Sequence, residues 1–301
     1  MPYRLIALDL DGTLLSPGPR GPWVSPRTHT SLQEARAAGV HIVVATGRSV
    51  HSAREWSQRI GGGPFVCCNG AALIGADGQT IQFRLVPKEP LCHLIKVAEA
   101  AGALVECYTP DGIALDKPLH QVSSYLRWIR ETTPLWKAMI GLVRMWRTNR
   151  VRIVRSLSQW ATTQARPAVL KVMIVGEPAT LPALRERIER ECPTLTISSS
   201  GKDNLEVTAA GVTKASGLRA LGDHLKVPAA AMMAFGDSFN DLEMLDFVGL
   251  GVAMGNAREP IKQAAKRVTA PNHQDGIALV VEELILRAPP APQTPSPKER
   301  D

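Results

Sequence analysis

The sequence predicts an α/β protein in which a Rossmann-like, doubly wound parallel sheet is interrupted by an inserted α+β domain. Short apolar runs rich in β-branched residues alternate with helical patterns in the first part of the chain, and the same rhythm returns in the last part. Between them lies a stretch of different composition, which is rich in arginine and tryptophan. A length of 301 residues is enough for two domains.

The N-terminal part has the order strand, helix, strand, helix, strand. The predicted strands are 4–10, 41–45 and 64–68, and the predicted helices are 27–38 and 49–59. This alternation is typical of parallel βαβ units, which hold their ligands where the strands end. Polar residues directly follow each of these strands. A turn at Gly78 then predicts a hairpin formed by the runs 72–76 and 80–85.

Changes in composition divide the chain into four predicted parts. They are a first core segment at 1–83, the inserted α+β domain at 84–193, a second core segment at 194–287 and a proline-rich, polar tail at 288–301. The tail composition predicts disorder. In the inserted domain we predict a strand at 168–175 and a helix at 180–191. In the second core segment we predict strands at 205–207, 230–235 and 248–254, and helices at 214–224 and 241–247.

The positive charge of the chain is concentrated in one segment. The protein has a formal net charge of +7, yet residues 118–175 alone carry +9, with Glu131 as their single acid. A local positive field suits an anionic partner. Within this segment, residues 134–146 place apolar side chains on a broad helical face. We interpret that face as core of the inserted domain, the alternatives being an oligomer interface or a contact with a membrane surface.

Several classes of protein are excluded by what the sequence lacks. No apolar run reaches about 18 residues, so we expect no membrane span. The N-terminal residues lack the pattern of a secretory signal, and the five cysteines lack the spacing of a disulfide framework. We therefore expect reduced thiols and a cytoplasmic protein. No nucleic-acid-binding signature accompanies the arginines, so no nucleic-acid partner is expected.

Two acids end the first predicted strand, in the motif Asp9-Leu10-Asp11-Gly12-Thr13. Carboxylates this close repel each other unless a cation or a shared proton relieves them. A Mg2+ ion, which prefers hard oxygen ligands, would neutralise the pair. The alternative interpretation is a charged strand end without catalytic significance.

Three further motifs place polar residues at the ends of strands or at a helix start. They are Gly236-Asp237-Ser238-Phe239-Asn240-Asp241, Thr46-Gly47-Arg48, and Gly211-Val212-Thr213-Lys214. The first supplies a further metal ligand, or alternatively a helix N-cap. The second offers a hydroxyl to a phosphate, or is an ordinary strand-to-helix turn. In the third, the helix dipole disfavours the lysine ammonium, and a bound phosphate would explain its presence.

Taken in order, these four motifs resemble those of the haloacid dehalogenase (HAD) superfamily of phosphotransferases. Four later segments resemble its Cof-type branch, subclass IIB, which carries an inserted cap domain between the threonine and lysine motifs. They are Asn69-Gly70-Ala71, Leu205-Glu206-Val207, Ala253-Met254-Gly255-Asn256-Ala257 and Asn272-His273-Gln274-Asp275-Gly276. The resemblance covers residues 1–82 and 195–287, and it is weak across the inserted domain. Ala215 and Gly217 depart from the residues that relatives more often carry there, which bears on local helix packing.

The resemblance implies a role for each motif. Asp9 would be the nucleophile that forms an aspartyl-phosphate, and Asp11 would be the general acid and base. Mg2+ would be held by the Asp9 carboxylate, the Asp11 carbonyl and Asp237. The phosphoryl group would be held by Thr46, Lys214, Asn240 and the Leu10 amide. The supporting residues would be Gly12, Gly47, Arg48, Asn69 and Asp241, with Asp241 orienting Lys214. Arg48 either reaches the leaving group or is a solvated or aspartate-paired arginine.

We therefore expect Mg2+-dependent hydrolysis of a phosphate monoester of a small metabolite, such as a sugar phosphate or a phosphorylated cofactor. The protein would be a monomer or a homodimer. One alternative is a phosphomutase that uses the same intermediate. Another is a non-catalytic protein that binds polyanions through its basic segment.

Overall fold

The computed structural model describes residues 3–18, 21–119, 121–122 and 135–287, with the backbone alone at 135–138. The predicted tail at 288–301 and residues 123–134 of the basic segment lie outside the described residues. Two β-sheets are present in the described part of the chain, and helices pack against each of them.

The strands and helices follow the predicted pattern closely at the two ends of the chain. The strands are β1 (Leu5–Leu8), β2 (His41–Ala45), β3 (Phe65–Cys67), β4 (Ala72–Ile74), β5 (Thr80–Phe83), β6 (Leu104–Thr109), β7 (Gly112–Leu115), β8 (Arg152–Ile153), β9 (Lys171–Val175), β10 (Leu195–Ser198), β11 (Asn204–Ala209), β12 (Met232–Gly236), β13 (Leu250–Ala253) and β14 (Arg267–Val268). The helices are α1 (Pro26–Ala37), α2 (Val50–Arg59), α3 (Lys88–Ala100), α4 (Leu135–Thr148), α5 (Leu157–Thr163), α6 (Leu181–Glu191), α7 (Lys214–Leu225), α8 (Leu242–Phe247), α9 (Glu259–Ala264) and α10 (Gly276–Val281).

The first sheet has the order β14-β13-β12-β1-β2-β3-β4-β5. Its central strand β1 pairs in parallel with β2 and β12, whereas the β3–β4 and β4–β5 pairs are antiparallel. Along β1, Ile6 packs in one apolar cluster with residues of α1, α2 and α10, and Ala7 packs in another with residues of α7, α8 and α9. Helices therefore cover both faces, and the predicted Rossmann-like sheet is confirmed.

The second sheet has the order β10-β11-β9-β6-β7-β8 and is largely antiparallel. Alternate side chains of its strands, such as Val105, Val172 and Val207, pack against α3, α5 and α6. The residues between them, such as Lys171 and Glu206, consequently lie on the opposite face. None of the helices in the described part of the chain has the length and apolar character that a bilayer crossing needs.

The strands at 195–198 and 204–209 differ from the predicted boundary at residue 194. We expected these residues in the second core segment, but β11 pairs with β9, and β10 pairs with β11, in the second sheet. Leu205 packs with the apolar cluster of that sheet. A three-residue apolar pattern does not reveal which sheet a strand joins, because strand pairing is a long-range property. We propose that the inserted domain extends to about residue 209.

The apolar face predicted for residues 134–146 is largely exposed. Helix α4 forms as predicted, and Leu142 is buried. Met139, Ile140 and Val143 are instead 42%, 60% and 52% exposed, respectively. The interpretation of the whole face as domain core is therefore wrong for these three residues.

Helix α7 approaches the start of β4 unusually closely, at the pair Gly70 and Gly217. A methyl group on Gly217 would lie 2.6 Å from Val66 Cγ1 and 2.7 Å from the Cα atom of Gly70. Separations below 3 Å force the backbones apart. The glycine at position 217 thus permits this contact.

We expect Gly217→Ala to lower the free energy of unfolding by about 1–3 kcal/mol because of overpacking. In a helix without this contact, replacement of glycine by alanine would raise the free energy of unfolding by about 1 kcal/mol. The sign of the measured change therefore tests the contact. Urea unfolding measures it. The matched substitution His224→Ala, at an exposed position of the same helix, should change stability by less than about 0.5 kcal/mol. A Gly217→Ala variant as stable as the wild type would contradict the close approach.

Candidate active site

A buried lysine joins two aspartates at the end of β1. Lys214 Nζ donates hydrogen bonds to Asp9 Oδ1 and to Asp241 Oδ1, each at 2.7 Å. The three side chains are almost fully buried. Burial disfavours the ammonium, but Asp241 and Asp9 outweigh it and raise the pKa of Lys214 above its usual value. The lysine is therefore charged and fixed between the two carboxylates.

The helix that carries Lys214 begins at that residue. Thr213 is its N-cap: the Thr213 hydroxyl accepts from the Ser216 amide at 3.2 Å, and the Ser216 hydroxyl accepts from the Thr213 amide at 2.9 Å. These bonds satisfy amides at the helix start. The start of a helix disfavours a cation because of the helix dipole. In this structure the carboxylates of Asp9 and Asp241 stabilise the lysine there, whereas the sequence led us to expect a bound phosphate in that role.

The loop after β12 brings a third carboxylate to the same place. Asp237 Oδ1 accepts a hydrogen bond from Thr13 Oγ1 at 2.7 Å. Gly12 has a φ of +79°, and a Cβ atom there would lie 2.3 Å from Asp237 Oδ2. Asp241 Oδ2 accepts from the amides of Asp237 and Ser238, both at 3.0 Å. The absence of a side chain at position 12 thus allows the two acidic loops to meet.

Arg48 and Asp11 form an ion pair at the mouth of this cluster. Arg48 Nε and Nη2 donate to the two carboxylate oxygens of Asp11 at 2.7 and 2.5 Å. The Asp11 side chain is 63% exposed, unlike the buried Asp9. Of the alternatives for Arg48, the structure contains the aspartate-paired form. Thr46, at the end of β2, is buried, and its hydroxyl accepts from the Arg48 amide at 3.2 Å.

Asn69 and Asn240 meet at a second polar cluster beside the first. Asn240 Nδ2 lies 3.5 Å from Asn69 Oδ1 and 3.4 Å from Glu206 Oε2, and Asn69 Nδ2 also donates to Glu206. A Cβ atom on Gly47 would lie 2.8 Å from Asn69 Oδ1. The predicted residues Gly47, Asn69 and Asn240 are thus brought together around a glutamate of β11.

The fold and this geometry agree with a comparison against protein-family models. The model of the haloacid dehalogenase-like hydrolases matches residues 6–281. The chain belongs to the haloacid dehalogenase-like hydrolases. The predicted membership of the HAD superfamily, in its Cof-type branch, is confirmed, and the protein is a phosphatase of this family.

Individual relatives span nearly the whole of this HAD phosphatase. The pyridoxal phosphate phosphatase of Escherichia coli is 29% identical, with 95% of this chain and 100% of the relative covered. The 5-amino-6-(5-phospho-D-ribitylamino)uracil phosphatase YcsE of Bacillus subtilis is 28% identical, with 94% and 96% covered. A haloacid dehalogenase-like hydrolase structure from B. subtilis superposes with a TM-score of 0.82 at 27% identity, covering 94% of this chain and 100% of that one.

Leu10, expected to offer its amide to a phosphate, has a buried side chain in the core of the first sheet. Its carbonyl accepts from the Leu15 amide at 2.8 Å, which closes the turn after β1. The Gly12 carbonyl accepts from Asn256 Nδ2 at 2.7 Å. The turn that carries Asp9 and Asp11 is therefore braced by its own backbone and by the loop after β13.

Two residues of the site escaped the sequence reasoning. In the sequence, Lys171 is one of the basic residues of segment 118–175, and Glu206 belongs to a segment that resembles the Cof-type branch. Both are buried on adjacent strands of the second sheet, with Lys171 Nζ 3.5 Å from Glu206 Oε1. The sequence does contain a signal for this pair. Each residue is a single charge beside apolar strand residues, and charged side chains in such strands are buried only when they are paired.

The donor set of the acidic cluster fits a divalent cation. Carboxylate oxygens of Asp9, Asp237 and Asp241 lie within 4.8 Å of one another. Asp241 accepts the most hydrogen bonds of the three, one from Lys214 at Oδ1 and two from amides at Oδ2. Burial, opposed by Lys214 and reinforced by the neighbouring carboxylates, raises the pKa of Asp9. A cation would favour its ionised form.

We expect Asp237→Asn to raise the free energy of unfolding of the metal-free protein at pH 8 by about 1–2 kcal/mol. Burial and Asp241 raise the pKa of Asp237 to about 6. The folded state therefore binds more protons than the unfolded state between about pH 4 and pH 6, and stability falls as the pH rises through this range. An asparagine side chain has no charge to bury, so this loss of stability does not occur, and its carbonyl oxygen still accepts the hydrogen bond from Thr13. Urea unfolding in EDTA measures the difference, which should shrink below about pH 5.

The matched control is Asp246→Asn, at an exposed position of α8, which should leave stability within about 0.5 kcal/mol of the wild type. Added Mg2+ should stabilise the wild type and this control more than it stabilises Asp237→Asn. An Asp237→Asn variant that is less stable than the wild type at pH 8 in EDTA would contradict the cost of an ionised, buried Asp237 beside Asp241.

Proposed function

We propose that the protein is a Mg2+-dependent phosphatase that hydrolyses phosphate monoesters of small metabolites through an aspartyl-phosphate at Asp9. The observation that carries the proposal is the buried Asp9 carboxylate at the end of β1, held by Lys214 and faced by Asp237. Phosphoryl transfer depends mainly on positioning and on neutralisation of charge. A fixed carboxylate next to a fixed ammonium supplies both.

In the first step, a carboxylate oxygen of Asp9 attacks phosphorus, and the bond from phosphorus to the leaving oxygen breaks. Asp11 gives its proton to that oxygen, so an alcohol leaves. In the second step, Asp11 takes a proton from water, whose oxygen attacks the phosphorus of the aspartyl-phosphate. The Asp9 carboxylate is then released together with inorganic phosphate. Both Asp11 oxygens accept from Arg48 in this structure, so Asp11 must leave that ion pair before it carries the proton. Its exposed position then suits contact with both the leaving group and water.

The remaining residues hold the reactants. Asp9, Asp237 and the carbonyl of Asp11 would hold Mg2+, which neutralises the charge of the phosphoryl group and of the carboxylates. Lys214, Thr46, Asn240 and the amide of Leu10 would bind the phosphoryl oxygens. Asp241 orients Lys214, to which it is bonded at 2.7 Å.

Two relatives support this substrate class, since their names specify phosphate esters of small heterocyclic metabolites. A panel of phosphorylated metabolites, assayed for released inorganic phosphate, identifies the substrate. Assays with and without a bisphosphate activator distinguish hydrolysis from a mutase reaction, which would return an isomeric phosphate instead. A cytoplasmic location is part of the proposal, supported by five free thiols.

We expect Asp9→Asn to lower kcat by several orders of magnitude and to leave the fold intact, because the amide keeps the shape of the side chain but is not a nucleophile. Lys214 keeps its bond to Asp241 in the variant. Steady-state kinetics with p-nitrophenyl phosphate measures the loss, and circular dichroism checks the fold. The exposed Asp246→Asn variant should keep the wild-type kcat. Retention of more than roughly a tenth of the activity, about 1.4 kcal/mol, would reject Asp9 as the nucleophile.

Activity should disappear in EDTA and return when Mg2+ is added. Ca2+ should compete with Mg2+ and inhibit, since its larger and looser coordination misplaces the reacting oxygen. Phosphate release at fixed pH, titrated with each ion, provides the measurement. Full turnover by protein freed of metal by chelation would eliminate the metal from the proposal.

A further inference from the structure

Lys171 and Glu206 are a buried ion pair on the face of the second sheet that meets the first domain. They lie on the adjacent strands β9 and β11, and their side chains are 1% and 3% exposed. Glu206 Oε1 also accepts from Ser200 Oγ at 2.9 Å. Burial disfavours the carboxylate, but Lys171, Asn69 and Ser200 outweigh it and hold the pKa of Glu206 below its usual value. The Glu206 carboxylate is therefore ionised.

Each member of the pair also bonds to the first domain. Lys171 Nζ donates to the carbonyl of Gly47 at 2.6 Å, directly after Thr46 at the end of β2. Glu206 Oε2 accepts from Asn69 Nδ2 and lies 3.4 Å from Asn240 Nδ2. The second sheet thus contacts two loops that carry proposed phosphoryl-binding groups.

Gly47 is shaped for this contact. A Cβ atom there would lie 3.3 Å from Glu206 Oε2 and 3.5 Å from Lys171 Nζ, in addition to its clash with Asn69. A side chain at position 47 would therefore press on Asn69 and Glu206. The glycine thus leaves room for Asn69 and Glu206 beside the loop.

Stability alone is a poor explanation for such a pair. Desolvating two charges costs free energy that their attraction often fails to recover, and well-packed apolar residues can be equally stable in their place. The bonds to the loop carbonyl and to the two asparagines are directional, however, and apolar residues would not make them. The geometry thus favours a role in orienting these groups.

We propose that Lys171 and Glu206 are positioning residues, which align the phosphoryl-binding loop at Thr46–Gly47 and the amide of Asn240 when the inserted domain is seated on the core. The proposal rests on the proposed function. It adds that the phosphoryl site is complete only when both domains contribute, through two residues that touch neither the reacting atoms nor the metal.

The test uses Glu206→Gln, Lys171→Met and the double variant. In Glu206→Gln, one acceptor oxygen becomes a donor group, which conflicts with either the asparagine amides or the Lys171 ammonium. Lys171→Met removes the donor to the Gly47 carbonyl and leaves the glutamate without its partner. The double variant removes both charges, so neither is left buried alone.

We expect kcat for p-nitrophenyl phosphate to fall by about tenfold to a hundredfold in each single variant, as slight misplacement of binding groups does. The Kd of orthophosphate, measured by calorimetry with Mg2+ present, should rise about tenfold or more. These losses should be equal for esters with different leaving groups, because the affected loops hold the phosphoryl group. The double variant should lose no more than the worse single variant, since the pair acts as a unit.

Leu205→Ala is the matched control. Leu205 precedes Glu206 on the same strand, but its side chain is buried in the apolar cluster of the inserted domain. This variant should lower Tm while it keeps the wild-type kcat and the orthophosphate Kd. It separates the stability of the domain from the alignment of the loop.

Two outcomes would overturn the proposal. In one, Glu206→Gln and Lys171→Met lower Tm but keep wild-type kcat and orthophosphate affinity, which is a structural role only. In the other, the loss depends on the leaving group, which places the pair in substrate selection. If the wild type binds orthophosphate but releases none from any ester, the proposed function fails instead. The orthophosphate Kd of the variants then still decides the role of the ion pair.

Discussion

The bond of one buried ammonium to two buried carboxylates is the constraint on which the site depends. Lys214 lies at a helix start, where the dipole opposes it, and in a core that opposes any charge. It is stable there because Asp9 and Asp241 are both within 2.7 Å. Asp241 in turn holds the amides of Asp237 and Ser238. A single interaction therefore ties together the end of β1, the start of α7 and the loop after β12.

The sheet topology explains why residues more than two hundred positions apart meet there. Strands β12, β1 and β2 are neighbours and parallel, so their carboxyl ends lie side by side. Asp9, Thr46 and Asp237 each follow one of these strands. Three carboxylates and one ammonium leave net negative charge in a buried space, and hard cations with oxygen ligands bind under those conditions. Burial, reinforced by Asp241, raises the pKa of Asp237, so an ionised Asp237 lowers the stability of the metal-free protein.

The sequence predicts the features that are encoded locally. Apolar runs followed by polar loops identify β1, β2 and β12, and the order of motifs identifies the family. Strand pairing is not local, so the assignment of β10 and β11 to the second sheet, and the meeting of Lys171 with Glu206, required the structure. The exposed face of α4 shows the converse limit. Periodicity reveals that a helix is amphipathic, but not whether another element covers it.

The contacts between the inserted domain and the core add a final point about charge. Arg144 and Thr148 of α4 bond to Glu55 of α2, and Lys171 bonds to the Gly47 carbonyl. The basic segment therefore contains two kinds of charge. Exposed arginines contribute a field that salt screens, whereas Lys171 is buried and acts through direction and distance. The net charge of a segment predicts the field of its exposed arginines, but it does not reveal a buried lysine that acts through specific hydrogen bonds.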